Sequence, residues 1–174
     1  MDFVIPSLLV LSVLLVFYFA RPRIPNRINK AFLTLIITDI AAIVTDLLST
    51  YADNHYRDFS VPLLSVLNMA FFVAFFARVL AFFRLTMKLP KVGASGFTRN
   101  KLLSYTVFLV CEVMVVTSPF TGAVYTADAA GYHRGPLYWI LPACSFFYLA
   151  LGIFQLVRYR KKVRRRDRDR KSVV

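Results

Sequence analysis

The chain alternates long apolar runs with short, charged connections. Five runs approach the length of about 20 residues that a helix needs, at about 1.5 Å per residue, to cross about 30 Å of hydrocarbon. They are Phe3 to Ala20, Ala31 to Ala52, Val61 to Phe83, Leu102 to Tyr125 and Leu137 to Val157. A helix of a water-soluble protein would be striped, with one polar face. The first run, FVIPSLLVLSVLLVFYFA, has no such face. The pattern predicts an all-α fold, a polytopic transmembrane helical bundle of five spans over residues 1–157, followed by a basic cytoplasmic tail over residues 158–174.

Proline sharpens the edges. Pro22, Pro25 and Pro90 fall in connections, Pro62 at a helix start where its missing N–H costs little, and Pro136 just before the last run. Pro119 and Pro142 fall inside runs, where each predicts a kink or an edge.

Composition agrees with the pattern. Of 174 residues, 58% are hydrophobic and 17 are Phe, well above the share of an ordinary globular domain. Charge adds direction. Lys and Arg number 22 against 9 Asp and Glu, a net charge of +13. Arg21, Arg23, Arg27 and Lys30 follow the first run, and Arg84, Lys88, Lys91, Arg99 and Lys101 follow the third. The tail from Arg158 to Lys171 is the most basic stretch. The opposite connections hold DNHYRDFS and ADAAGYHRGP, with little net positive charge. Such alternation is the positive-inside pattern. It predicts a multi-pass protein of the cell membrane, N-terminus outside and C-terminus cytoplasmic. Its basic loops and tail have anionic lipid headgroups as their natural partner. The start MDFVIP lacks a basic segment ahead of the first run, so that run is read as a span rather than a cleaved signal peptide.

Polar residues inside the runs are the candidate chemistry. Asp39 and Asp46 are seven residues apart on the second run, two helical turns, and so share a face. Taking about 1.5 Å per residue, Asp39 and Arg78 lie at matched depths on neighbouring spans, as do Asp46 and Asn68. Two contacts are expected, Asp39 with Arg78 and Asp46 with Asn68. Glu112 on the fourth run lies near the midplane. Each charge costs about 2.5–3.5 kcal/mol to insert on an isolated helix, so these groups should face the bundle interior or one another. Three roles fit: a structural ion pair and polar glue between helices, a polar sensing cavity formed by Asp39, Asp46, Asn68 and Glu112, or a path for protons or ions.

Enzyme and metal chemistry lack their patterns. His55 and His133 stand in separate connections without a Cys or second His at metal spacing. No H-E-x-x-H, G-x-S-x-G or glycine-rich phosphate loop occurs, and GASG at Gly93 to Gly96 reads as a flexible patch. Cys111 and Cys144 both lie in apolar runs and read as small buried hydrophobes. No cofactor, metal or enzymatic activity is expected. The tail YRKKVRRRDRDRK can neutralise phosphates, but with a single aromatic it is not expected to bind a specific nucleic acid. The terminal KSVV formally matches a C-terminal carboxylate ligand.

Three stretches together carry a resemblance. They are FARPRIPNRINKAFLTLIITDIAAIVTDLLSTY with Asn29, Phe32, Asp39 and Asp46, then LLSVLNMAFFVAFFAR with Asn68, then GYHRGPLYWI with Tyr132, Arg134, Gly135 and Pro136. They resemble the N-terminal multi-pass sensory region of bacterial GGDEF-type diguanylate cyclases, over Val4 to Lys162. YHRGP is the most individual piece and marks Tyr132, His133 and Arg134 as outer-loop candidates. The resemblance implies a membrane input region ahead of a cytoplasmic output domain. This sequence has no GG-[DE]-E-F signature and no D-x-L-T-G-x-x-N-R stretch, so no catalytic residue carries over. The expectation is a sensory module without its own catalytic domain, truncated or stand-alone, working with a cytoplasmic signalling partner or as a homodimer. The alternative is a small transporter, an ion or proton pathway, or an accessory subunit.

Overall fold

The computed structural model describes residues 4–20, 27–88, 97–128 and 130–171. The basic residues Arg21 and Arg23, the GASG stretch and the terminal carboxylate lie outside them. Five α-helices dominate: α1 (Val4–Ala20), α2 (Arg27–Asn54), α3 (Val61–Lys88), α4 (Phe97–Thr121) and α5 (Ile140–Lys171). A single 3₁₀ turn, Tyr56–Asp58, links α2 to α3. Two short strands, β1 (Tyr125–Asp128) and β2 (Gly131–Arg134), form an antiparallel hairpin between α4 and α5.

Among the described residues, three helices are long and apolar enough to cross a membrane: Ile28–Asn54, Val61–Lys88 and Leu102–Thr121. The apolar stretches of α1 and α5, Leu9–Ala20 and Ile140–Gln155, are shorter. The expected five spans are therefore reduced to three that meet the length on their own. The chain is a predominantly helical membrane protein that also carries one short hairpin. The fourth run ends early because Gly122 takes φ 65°, a left-handed cap that halts α4 and leaves Tyr125 to open a strand. Pro119 sits in the last turn of α4, and Pro142 in the first turn of α5, where the missing N–H breaks nothing.

Helix α3 is the hub. It packs against α2, α4, α5 and the hairpin, and buries Leu64, Asn68, Phe72, Phe76 and Leu80 in one stripe at four-residue spacing. It packs most extensively against α2, whose buried residues are Ala31, Ile36, Ala42, Ser49 and Ala52, all but Ile36 small. Small side chains let two helices approach closely, which is how helices associate when lipid removes the hydrophobic drive between them. Helix α1 packs on α2, fixed where the Tyr18 hydroxyl donates to the Asn29 carbonyl at 2.9 Å.

The outer surface is apolar, as a lipid solvent demands. Phe17, Ile37, Leu109, Phe120, Phe146 and Ile153 are all more than half exposed. Hydroxyls on the same helices find backbone partners one turn back. Thr38 donates to Thr34 O at 2.9 Å, Thr45 to Ala41 O at 2.8 Å and Thr117 to Val113 O at 2.8 Å, so none needs water.

The hairpin caps one end of the bundle. Ser118, fully buried near the end of α4, accepts from the N–H groups of Val124 and Tyr125 at 2.9 and 2.8 Å and donates to Tyr125 O at 2.9 Å. Gly135 then crosses the chain so closely that a Cβ there would meet Ala123 O at 2.5 Å and also Gly122 O. Only glycine fits that crossing.

Candidate functional site

The site is built by α2, α3 and α5. Asp39 Oδ1 lies 3.6 Å from Arg78 Nε, the pairing that matched depth predicts, with each side chain about one third exposed. The Arg78 guanidinium also lies over the Phe75 ring, 5.0 Å from its centre, and its charge acts on Asp46 as well. Asp39, Asp46 and Arg78 thus form one electrostatic strip along the α2–α3 seam, which follows from the two-turn spacing of the aspartates.

Beside the pair opens a cleft of about 340 Å³. Asp39 and Arg78 supply its charge. Phe82 from α3 and Ser145, Tyr148 and Leu149 from α5 supply most of the rest, giving a mainly apolar wall with one polar edge. Apolar walls with a few placed polar groups are shared with small-ligand sites, although this cleft is open rather than enclosed. Tyr148 is itself held rigid, since its hydroxyl donates to Ser104 O on α4 at 2.6 Å and its ring meets Phe83 edge-on.

The remaining polar candidates do not share this cleft. Asn68 does not contact Asp46. Its amide donates instead to Asp53 Oδ1 at 2.9 Å and to Leu64 O at 3.1 Å. The physical reason is side-chain direction. On each helix the Cα–Cβ bonds lean toward the N-terminus, so on antiparallel neighbours Asp53 leans into the bundle and Asn68 leans out to meet it. Glu112 lies elsewhere again, on α4 immediately after Cys111; the residue is half-buried and its Oε1 is enclosed without a hydrogen-bond partner among the described residues. The expected cavity of Asp39, Asp46, Asn68 and Glu112 is thus three separate features: a charged strip, an Asn–Asp contact near the α2–α3 turn and a half-buried carboxylate.

The outer candidates divide as well. Tyr132 turns inward and stacks on Tyr125, which stacks on Phe72. Burial pushes both phenols up from their ordinary range. His133 Nε2 points outward to Asp128 Oδ1 at 3.3 Å, and Arg134 lies over the Tyr138 ring at 4.6 Å. Among the described residues no cluster of three His, Cys, Asp or Glu could hold a metal.

Sequence reading missed Ser118, Asp53 and the α5 lining residues. Ser118 reads as one more small residue in an apolar run, and only the Gly122 and Gly135 that flank the turn hint at its role. Searches against known protein families, characterised proteins and solved structures find no match to this chain. The geometry of the site is therefore the basis for a functional reading.

Proposed function

We propose that this chain is the membrane input unit of a signalling system. It has five spans with the N-terminus outside, and α5 carries the state of the cleft to a cytoplasmic partner. One observation carries the reading. Helix α5 runs unbroken from Ile140 to Lys171, 32 residues or about 48 Å. It lines the cleft with Ser145, Tyr148 and Leu149 near its start and continues past the hydrocarbon thickness of about 30 Å into the basic sequence. A rigid helix with one end at a ligand cleft and the other beyond the membrane transmits a tilt or rotation without any chemistry of its own.

The alternation of basic loops supports the topology, with the shorter apolar stretches of α1 and α5 completing the five spans. The resemblance to the input regions of diguanylate cyclases supports the same division of labour. The ligand that suits the cleft is a small amphiphile whose polar end meets Asp39 and Arg78. Signalling then requires two packings of α5 a few kcal/mol apart and a ligand that prefers one of them.

Topology is tested by labelling single cysteines in intact cells, placed at Ser95 and Ala130 in a Cys111→Ser, Cys144→Ser background. Labelling of the Ala130 site alone is expected, and labelling of the Ser95 site alone inverts the topology. Function is tested by fusing a reporter output after Lys171 and filling the cleft with Ser145→Phe. A changed output is expected, with none from lipid-facing Phe146→Leu. Unchanged output from well-inserted Ser145→Phe rejects the reading. If proteoliposomes instead pass protons and Asp39→Asn stops them, transport takes its place.

A further inference from the structure

Cys111 of α4 and Cys144 of α5 lie thiol to thiol. Their sulfurs are 3.8 Å apart, Cys111 donating to Cys144, and each residue is 4% exposed. They stand 33 positions apart in sequence on two different helices, inside the main core beside Val115, Leu141 and Tyr148. Burial in apolar surroundings ordinarily makes a thiol inert, because the reactive species is the thiolate. Two features set this pair apart. The sulfurs are already in contact, and Glu112, the residue after Cys111 on α4, is half-buried with an enclosed Oε1 that has no hydrogen-bond partner among the described residues. An orphaned carboxylate oxygen one residue along the helix from a thiol is a proton acceptor with no donor of its own.

We propose that Cys111 and Cys144 are a redox site, a dithiol that a small membrane-permeant hydroperoxide converts to a disulfide joining α4 to α5, with Glu112 as the base. One thiol gives its proton to Glu112, and the thiolate, held by the remaining S–H, attacks a peroxide oxygen. The O–O bond breaks, the sulfur becomes a sulfenic acid, and the departing hydroxide takes the proton back from Glu112 to form water. The second sulfur then attacks the sulfenic sulfur, the S–O bond breaks and a second water leaves. Two thiols and one hydroperoxide thus give one disulfide and two waters, or one water and one alcohol from an alkyl hydroperoxide. The sulfurs must close from 3.8 Å to about 2.05 Å, an approach within the 1–2 Å shifts that packed helices make. The product clamps α5 to α4. This inference rests on the thiol geometry and stands whether or not the chain is a signalling unit.

The test treats the full chain, reduced and reconstituted in liposomes, with hydrogen peroxide, then blocks free thiols and measures intact mass. Loss of two hydrogens without blocker uptake, with a Cys111–Cys144 cross-linked peptide from a single chain, is the expected result. Cys111→Ser and Cys144→Ser should each gain oxygen or take up blocker instead. Glu112→Gln, which keeps the shape, should slow disulfide formation by about tenfold or more. Two blocked thiols after peroxide, oxygen addition at both sulfurs, or cross-links only between chains would overturn the redox site. An unchanged rate in folded Glu112→Gln would overturn the role given to the carboxylate.

Discussion

Asn68 reaches past Asp46 to donate its amide to Asp53 at 2.9 Å, and its second N–H is taken by Leu64 O at 3.1 Å. Both donors of a residue only 3% exposed are thereby satisfied, which is the condition for keeping an amide in a helix interface. Asn68→Leu should lower stability by about 1–2 kcal/mol, mostly through the carboxylate left without its donor. The same change in an Asp53→Leu background should cost clearly less. Unfolding midpoints in mixed micelles measure both, and equal losses in the two backgrounds would dismiss the contact.

The Asp39 and Arg78 pair calls for a smaller number. At 3.6 Å and one third exposed, it is neither fully buried nor free, so its coupling should be about 0.5–1 kcal/mol. Arg78→Ala and Asp39→Asn, alone and together, close a double-mutant cycle. Strictly additive losses would show that Arg78 is held by the Phe75 ring rather than by the carboxylate.

Gly135→Ala should be the most damaging glycine-to-alanine change among the described residues. The added carbon meets backbone oxygens of Gly122 and Ala123 that cannot move without opening the hairpin. A loss of about 3 kcal/mol or more is expected. Gly152→Ala is the matched control, since its Cβ would meet Thr86 Oγ1 at an ordinary 3.5 Å. Comparable stability of the two variants would show that the crossing is looser than this contact requires.

Tyr132 supplies a pH dependence. Burial raises the pKa of its phenol above the unfolded value near 10, so above that pH the unfolded chain loses a proton that the folded one keeps. The stabilisation is complete below about pH 10 and falls as the pH rises toward the folded value. Tyr132→Phe should flatten the alkaline fall in stability, read by unfolding at increasing pH, while ultraviolet difference absorbance follows the phenolates. An alkaline limb unchanged by the substitution would place Tyr132 in water.

The parts of the fold legible in sequence are those set by long-range periodicity. The bodies of α2, α3 and α4 follow from runs of about 20 apolar residues, and Asp39 meets Arg78 because depth along two antiparallel helices is simple arithmetic. The hairpin was illegible because Tyr125 sits at the edge of an apolar run that a hydropathy reading assigns to the helix. Four-residue strands offer almost no alternation to detect. Asp53 was overlooked for a similar reason: it is the next-to-last residue of α2, where a charge is unremarkable, and only the lean of the side chains brings it to Asn68. The cleft was beyond reach, since no sequence spacing relates Ser145 on α5 to Asp39 on α2.

The close α2–α3 seam bears on how the chain enters the bilayer during synthesis. Helix α2 presents two carboxylates to lipid if it partitions alone, while α3 carries the guanidinium that offsets them, on the adjoining segment of the nascent chain. The two helices are therefore best inserted together as a preformed pair, and α5, which completes the cleft against them, is the last of the described helices to be made.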